Sequence, residues 1–105
     1  MGPIVHKEVN DVRKYEAMFI FYPNLEEEKI NQLVERFKGI IEADGSVTNV
    51  DDWGVRKLAY LIDDHSEGHY VLVNFDATPA VVDELDRIAK ISDIVMRHMI
   101  IREDE

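Results

Sequence analysis

YEAMFIFYPNLEEEKINQLVERFKGIIEADG, residues 15–45, changes its hydrophobic period halfway along. Residues 15–22 are apolar on both alternating sets, Ala17/Phe19/Phe21 and Met18/Ile20/Tyr22, the pattern of a central strand covered on both faces. Pro23 ends it. Beyond, Ile30, Leu33, Val34, Phe37, Ile40 and Ile41 recur at spacings of three and four, which predicts an amphipathic helix over 25–43. Asn24 with Glu27 three residues on reads as a helix cap. Glu26, Glu27 and Glu28 suit the positive end of the helix dipole, and Gly45 supplies a left-handed stop.

Working outward, residues 46–62 read as extended, led by β-branched Val47, Thr48 and Val50, with Gly54 marking a bulge or bend. DDHSEG, residues 63–68, is polar and closes on glycine, so it reads as a hairpin loop before a third strand over 69–77. Thr78 caps and Pro79 opens a second helix, with Val82, Leu85, Ile88 and Ala89 on its apolar face. Ser92 and Asp93 end it, and IVMRHMIIRE is a fourth strand. The order β-α-β-β-α-β, closed by right-handed crossovers, predicts an α+β, ferredoxin-like domain over 13–105. It has a four-stranded antiparallel sheet with both helices on one face. Residues 1–12 read as a flexible N-terminal extension.

Two helices cover only one face of such a sheet. Yet strand one is apolar on both sets, and strand four sets Val95/Met99/Ile101 against Ile94/Met96/Ile100. The face away from the helices therefore exposes apolar surface. Either it is a docking surface, or long Lys and Arg stems and the extension cover it.

Composition narrows the function. The 105 residues suffice for one domain with its own core. There is no cysteine, which excludes disulfides and thiolate chemistry and fits a reducing cytosol. No apolar run approaches the ~18 residues of a membrane-spanning helix. The formal charge of −10 opposes generic affinity for polyanions, so any nucleic-acid contact needs aimed cations or a basic partner.

No catalytic constellation emerges. The acidic loop YPNLEEE repels an anion where a phosphate enzyme needs an amide or arginine cradle, which argues against an acylphosphatase-type enzyme. Ser46, Ser66 and Ser92 sit at element ends without a base. Asp63, Asp64, His65, Glu67 and His69 share one hairpin rather than a rigid ligand spacing, so neither a metal nor another cofactor is expected. Residues 67–75, EGHYVLVNF, lack the stacking aromatics of RNA-binding modules on this fold, and His69, Tyr70 and Phe75 read as packing residues. The cations stand out instead. Arg13–Lys14, Arg56–Lys57, Arg87 with Lys90, Arg97 and Arg102 either solvate surfaces and pair with surplus acids, or form phosphate contacts.

RKYEAMFIFYPN (13–24), WGVRKLAYLI (53–62), EGHYVLVNF (67–75) and KISDIVMRHMIIRE (90–103) together resemble protein six of the bacterial small ribosomal subunit. The resemblance runs in register over 13–105. Its most specific part is the signature Gly-x-basic-polar-Leu-Ala-Tyr-x-Ile, filled by Gly54, Arg56, Lys57, Leu58, Ala59, Tyr60 and Ile62. The next position, usually basic or small and polar in the family, is Asp63 here. The resemblance implies a non-enzymatic, cytoplasmic platform component that binds the central domain of small-subunit ribosomal RNA. It does so as a heterodimer with ribosomal protein eighteen, a small basic partner. On that reading Arg13, Lys14, Arg56, Lys57, Arg87, Lys90 and Arg97 are the expected RNA contacts. Trp53, Tyr60, Met96 and Ile100 are the expected protein-partner face. Strands two and four, as sheet edges, could also accept a partner segment. The alternative is a small-molecule-sensing regulatory module that dimerises through its sheet.

Overall fold

The computed structural model describes residues 12–103, so the extension expected over 1–12 lies outside the described residues except for Val12. The elements are β1 (Arg13–Phe21), α1 (Glu27–Glu42), β2 (Gly45–Ile62), β3 (His65–Ala77), α2 (Pro79–Ile91) and β4 (Val95–Arg102). The strands form one antiparallel sheet in the order β2-β3-β1-β4. β1 and β3 are central and β2 and β4 are edges, the ferredoxin-like arrangement expected.

The core lies between the helices and one face of the sheet. Ala17, Phe19 and Phe21 of β1 and Val71, Val73 and Phe75 of β3 turn inward, as the strand period of two requires. α1 meets them with Ile30, Val34, Phe37 and Ile41, and α2 with Val81, Leu85, Ile88 and Ala89. The rings of Phe19 and Phe37 stack with centroids 4.4 Å apart and join sheet to helix. The stripe of α2 starts at Val81, with Val82 only partly buried beside it.

Three end signals resolve differently from the sequence expectation. α1 starts at Glu27 with Glu26 in the capping position and no side-chain cap, so Asn24 lies outside the helix. Leu25 packs against the core, and the turn that brings it there delays the helix start. The Lys29 N–H then donates to the Glu26 carbonyl at 3.1 Å. Gly45 is not left-handed either. It opens β2 so close to β3 that a Cβ would fall on the Asp76 carbonyl oxygen. The helix closes instead through the Ala43 N–H donating to the Gly39 carbonyl at 3.2 Å.

The third difference is the hairpin between β2 and β3. Its loop contracts to Asp63 and Asp64, with φ 50° and 65°, and His65–Gly68 join the strand. Two consecutive left-handed residues make the primed turn whose twist matches the flanking strands. Aspartate tolerates that region better than most residues, but glycine suits it best. Asp64→Gly should therefore raise stability by about 0.5 kcal/mol in urea denaturation. A loss of stability would show that the aspartate side chain is needed there.

β4 departs from simple alternation. Ile20 pairs with Arg97 while Phe21 pairs with Val95, so Met96 is an extra residue in the ladder. The bulge turns Val95 to the helix side against the core and leaves Arg97, Met99 and Ile101 on the open face. Ile100, opposite inward-facing Ala17, also packs against the core. Strand parity thus removes Ile100 from the expected partner face, and Met96 sits half-buried at the bulge rather than on the cleft described below.

Candidate protein and nucleic-acid interface

The open face holds the second apolar set. Met18 and Ile20 of β1, Leu72 of β3, and Met99 and Ile101 of β4 form a continuous floor. Part of β2 lies over it. The β2–β3 register steps from Lys57–Glu67 to Ile62–His65, so residues 58–61 stand opposite Ser66 alone. Such an excess leaves the segment outside the ladder as a wide arch. Leu58, Ala59 and Tyr60 roof a cleft of about 500 Å³ above the sheet.

The arch is tied down at both sides. Tyr60 reaches the far edge, where its hydroxyl accepts a hydrogen bond from Arg97 Nη1 at 2.5 Å. Tyr22, just past β1, donates its phenol proton to Asp63 at 2.9 Å and meets the His65 ring edge-on at 5.2 Å. The Asp63 carboxylate holds that proton, so Tyr22 titrates above its ordinary value.

Trp53 closes one end of the cleft. Its ring stacks on Tyr70 at 6.1 Å, and its indole N–H donates to Asp51 at 3.0 Å. Gly54, with φ 76°, makes the bend that the sequence marks. Asp52 Oδ1 accepts the Gly54 N–H at 2.9 Å and lies 2.7 Å from Nε2 of buried His69. The Arg56 guanidinium lies 5.4 Å from the Trp53 ring centre, and its Nε donates to the Trp53 carbonyl at 3.3 Å.

The expected RNA-contact residues divide into groups. Arg56 and Arg97 are held by aromatic rings, a hydroxyl and a carbonyl; among the described residues neither has a carboxylate in ion-pair range. Lys57 is exposed beside the arch, and Lys14 is exposed on β1 next to half-buried Arg13. Arg87 and Lys90 lie on α2, on the helix layer. Arg87 grips Glu84 with bonds of 3.0 and 2.6 Å, and Lys90 meets Asp86 at 3.0 Å. The Arg87 bonds hold the Glu84 carboxyl below its usual range and raise Arg87. Among the expected partner residues, Trp53 and Tyr60 do line the cleft. Met18, Ile20, Leu72, Met99 and Ile101 complete the face. Sequence reasoning could have assigned Met99 and Ile101 had the bulge at Met96 been legible.

Asp86 also receives a 2.7 Å contact from Nε2 of His98, which lies beneath α2. That bond first, and the Lys90 bond second, lower the Asp86 carboxyl below its ordinary range. A depressed carboxyl stabilises the fold above its unfolded-state value and loses that contribution as pH falls through its folded value. Asp86→Asn should therefore flatten the decline in stability below about pH 4. The Asp86 side chain is 40% exposed, so screening keeps the difference under about 1 kcal/mol. Parallel acid-denaturation curves for the two proteins would remove this role.

Among the described residues no histidine–carboxylate cluster is placed to hold a metal. Asp63, His65 and His69 are engaged with Tyr22 and Asp52 instead. What the geometry offers is recognition: an open apolar cleft lined in part by Arg97, with the Arg56 guanidinium held on Trp53. The fold and site define an interaction module.

Comparison with known proteins specifies it further. The family model of ribosomal protein S6 matches residues 14–102. Small ribosomal subunit protein bS6 of Alkaliphilus metalliredigens is 60% identical over 94 residues, covering 90% of this chain and 100% of that protein. Its counterpart in Alkaliphilus oremlandii is 58% identical over 91 residues, covering 87% and 97%. The crystal structure of 30S ribosomal protein S6 from Thermotoga maritima aligns with a TM-score of 0.81 at 36% identity over 88% of each chain. The chain belongs to the ribosomal protein S6 family, whose members are structural, non-enzymatic components of the small ribosomal subunit.

Proposed function

We propose that this chain is a cytoplasmic constituent of the small ribosomal subunit that binds the central domain of its ribosomal RNA as a heterodimer with ribosomal protein eighteen. The observation that carries the reading is the apolar cleft on the open face of the sheet. Its floor of aliphatic and thioether side chains runs across β1, β3 and β4 and leaves Met99 and Ile101 exposed to a partner. A basic partner seated there also answers the charge of −10, because it brings the positive field that this chain lacks.

Arg13, Lys14, Arg56, Lys57 and Arg97 are the proposed RNA contacts, and they read backbone shape more than sequence. Arg87 and Lys90 join them where a phosphate replaces the carboxylate each now holds. Trp53 and Tyr60, with Met99 and Ile101, form the proposed partner face. Affinity capture of the tagged chain from lysate at native salt should bring down intact 30S particles. Recovery of the chain free of small-subunit RNA would overturn the reading.

A further inference from the structure

We propose that Tyr60 and Trp53 are positioning residues that hold Arg97 and Arg56 as oriented forks, with their charge intact, for the backbone phosphates of the RNA. The inference rests on the RNA-binding reading above and assigns roles within that surface.

The contrast between cations carries it. In a chain with 22 acidic residues against 12 Lys and Arg, an arginine readily finds a carboxylate, as Arg87 finds Glu84. A carboxylate fixes the guanidinium but cancels its charge and occupies its donors. Arg97 is fixed by a phenol oxygen and Arg56 by a carbonyl and a ring face. These neutral partners restrict the side chain while leaving the full charge and most N–H donors open. An arginine ordered beforehand loses less rotamer freedom when it meets a phosphate.

The arch supplies the means. Tyr60 stands on β2, yet Arg97 stands on β4 at the opposite edge of the sheet. Only a segment released from the ladder, residues 58–61, can carry the phenol across. Trp53 is fixed in turn by its stack on Tyr70 and its bond to Asp51, so the Arg56 platform is itself rigid.

The test is a double-mutant cycle on the full chain with ribosomal protein eighteen. Affinity for a central-domain RNA fragment is measured over a salt series. Ribosomal protein eighteen is at a saturating concentration for every variant, so that a loss at the partner face does not register. Arg97→Met should weaken binding and make the log–log salt slope shallower by about one. Tyr60→Phe should weaken binding about three- to tenfold and leave the slope unchanged, because the charge stays. The double variant should bind like Arg97→Met alone. Tyr60 is 60% exposed, so Tyr60→Phe should melt with the parent. Trp53→Leu with Arg56→Met repeats the cycle at the second fork.

Full affinity in Tyr60→Phe beside a weakened Arg97→Met would overturn the positioning role and leave the RNA reading standing. Additive losses would do the same. Parental affinity in Arg97→Met removes that residue from the RNA surface and the inference with it. Failure of the parent pair to bind the fragment overturns both.

Discussion

Met99→Asp should lose the proposed heterodimer and keep the fold. Met99 is 54% exposed on the open face of β4 and pairs with Met18 across the ladder, so it sits in the cleft floor. In the free chain an aspartate there stays hydrated, and the melting temperature should move by only a few degrees. With a partner seated, the same carboxylate is enclosed among Met18, Ile20 and Ile101, and Arg97, the cation in the cleft lining, is already held by the Tyr60 hydroxyl. Burying such a charge at the centre of an interface is worth about 3 kcal/mol, or about a hundredfold in affinity. Calorimetric titration with ribosomal protein eighteen reads this directly. Undiminished affinity would place the partner on another surface.

The second large effect is on the fold. Phe37 is fully buried and stacks on Phe19, so Phe37→Ala opens a cavity at the joint between α1 and the sheet. Comparable truncations cost about 3–5 kcal/mol, a large share of the ~5–15 kcal/mol that holds a domain of this size together. The melting temperature should fall by about 15–30 °C. A cost below about 1 kcal/mol would mean that the core is organised around other residues.

Much of this fold is readable from periodicity. The change of period between Tyr15 and Ile41 places β1 beside α1, and Pro79 after Thr78 places α2, because these signals are local. The misread positions are those where distant packing decides. Asn24 has the spacing of a cap, but Leu25 is drawn to the core and shifts the helix start. Gly45 suits a helix stop, yet it is needed because β3 crowds its Cα. Met96 breaks strand parity, so Val95 turns inward with Ile100 while Met99 and Ile101 remain outside.

The site was legible in its parts but not in its joins. Trp53, Tyr60, Arg56 and Arg97 stand out by residue type, while the Tyr60–Arg97 bond spans 37 positions and depends on the arch at 58–61. A run such as LAYL reads as ordinary strand, because nothing in its alternation shows that the partner strand supplies only Ser66 opposite. Asp63 reads as a departure from the family pattern. In the structure it takes the left-handed turn and anchors Tyr22.

The central claim is that a protein partner on the open face turns this acidic chain into an RNA-binding unit. The most direct measurement is equilibrium affinity for a central-domain ribosomal RNA fragment, with and without equimolar ribosomal protein eighteen, across a range of salt. The account predicts weak binding by the chain alone, and much tighter, salt-sensitive binding by the pair that Met99→Asp abolishes. Equal affinity with and without protein eighteen, or tight binding that survives Met99→Asp, would contradict it.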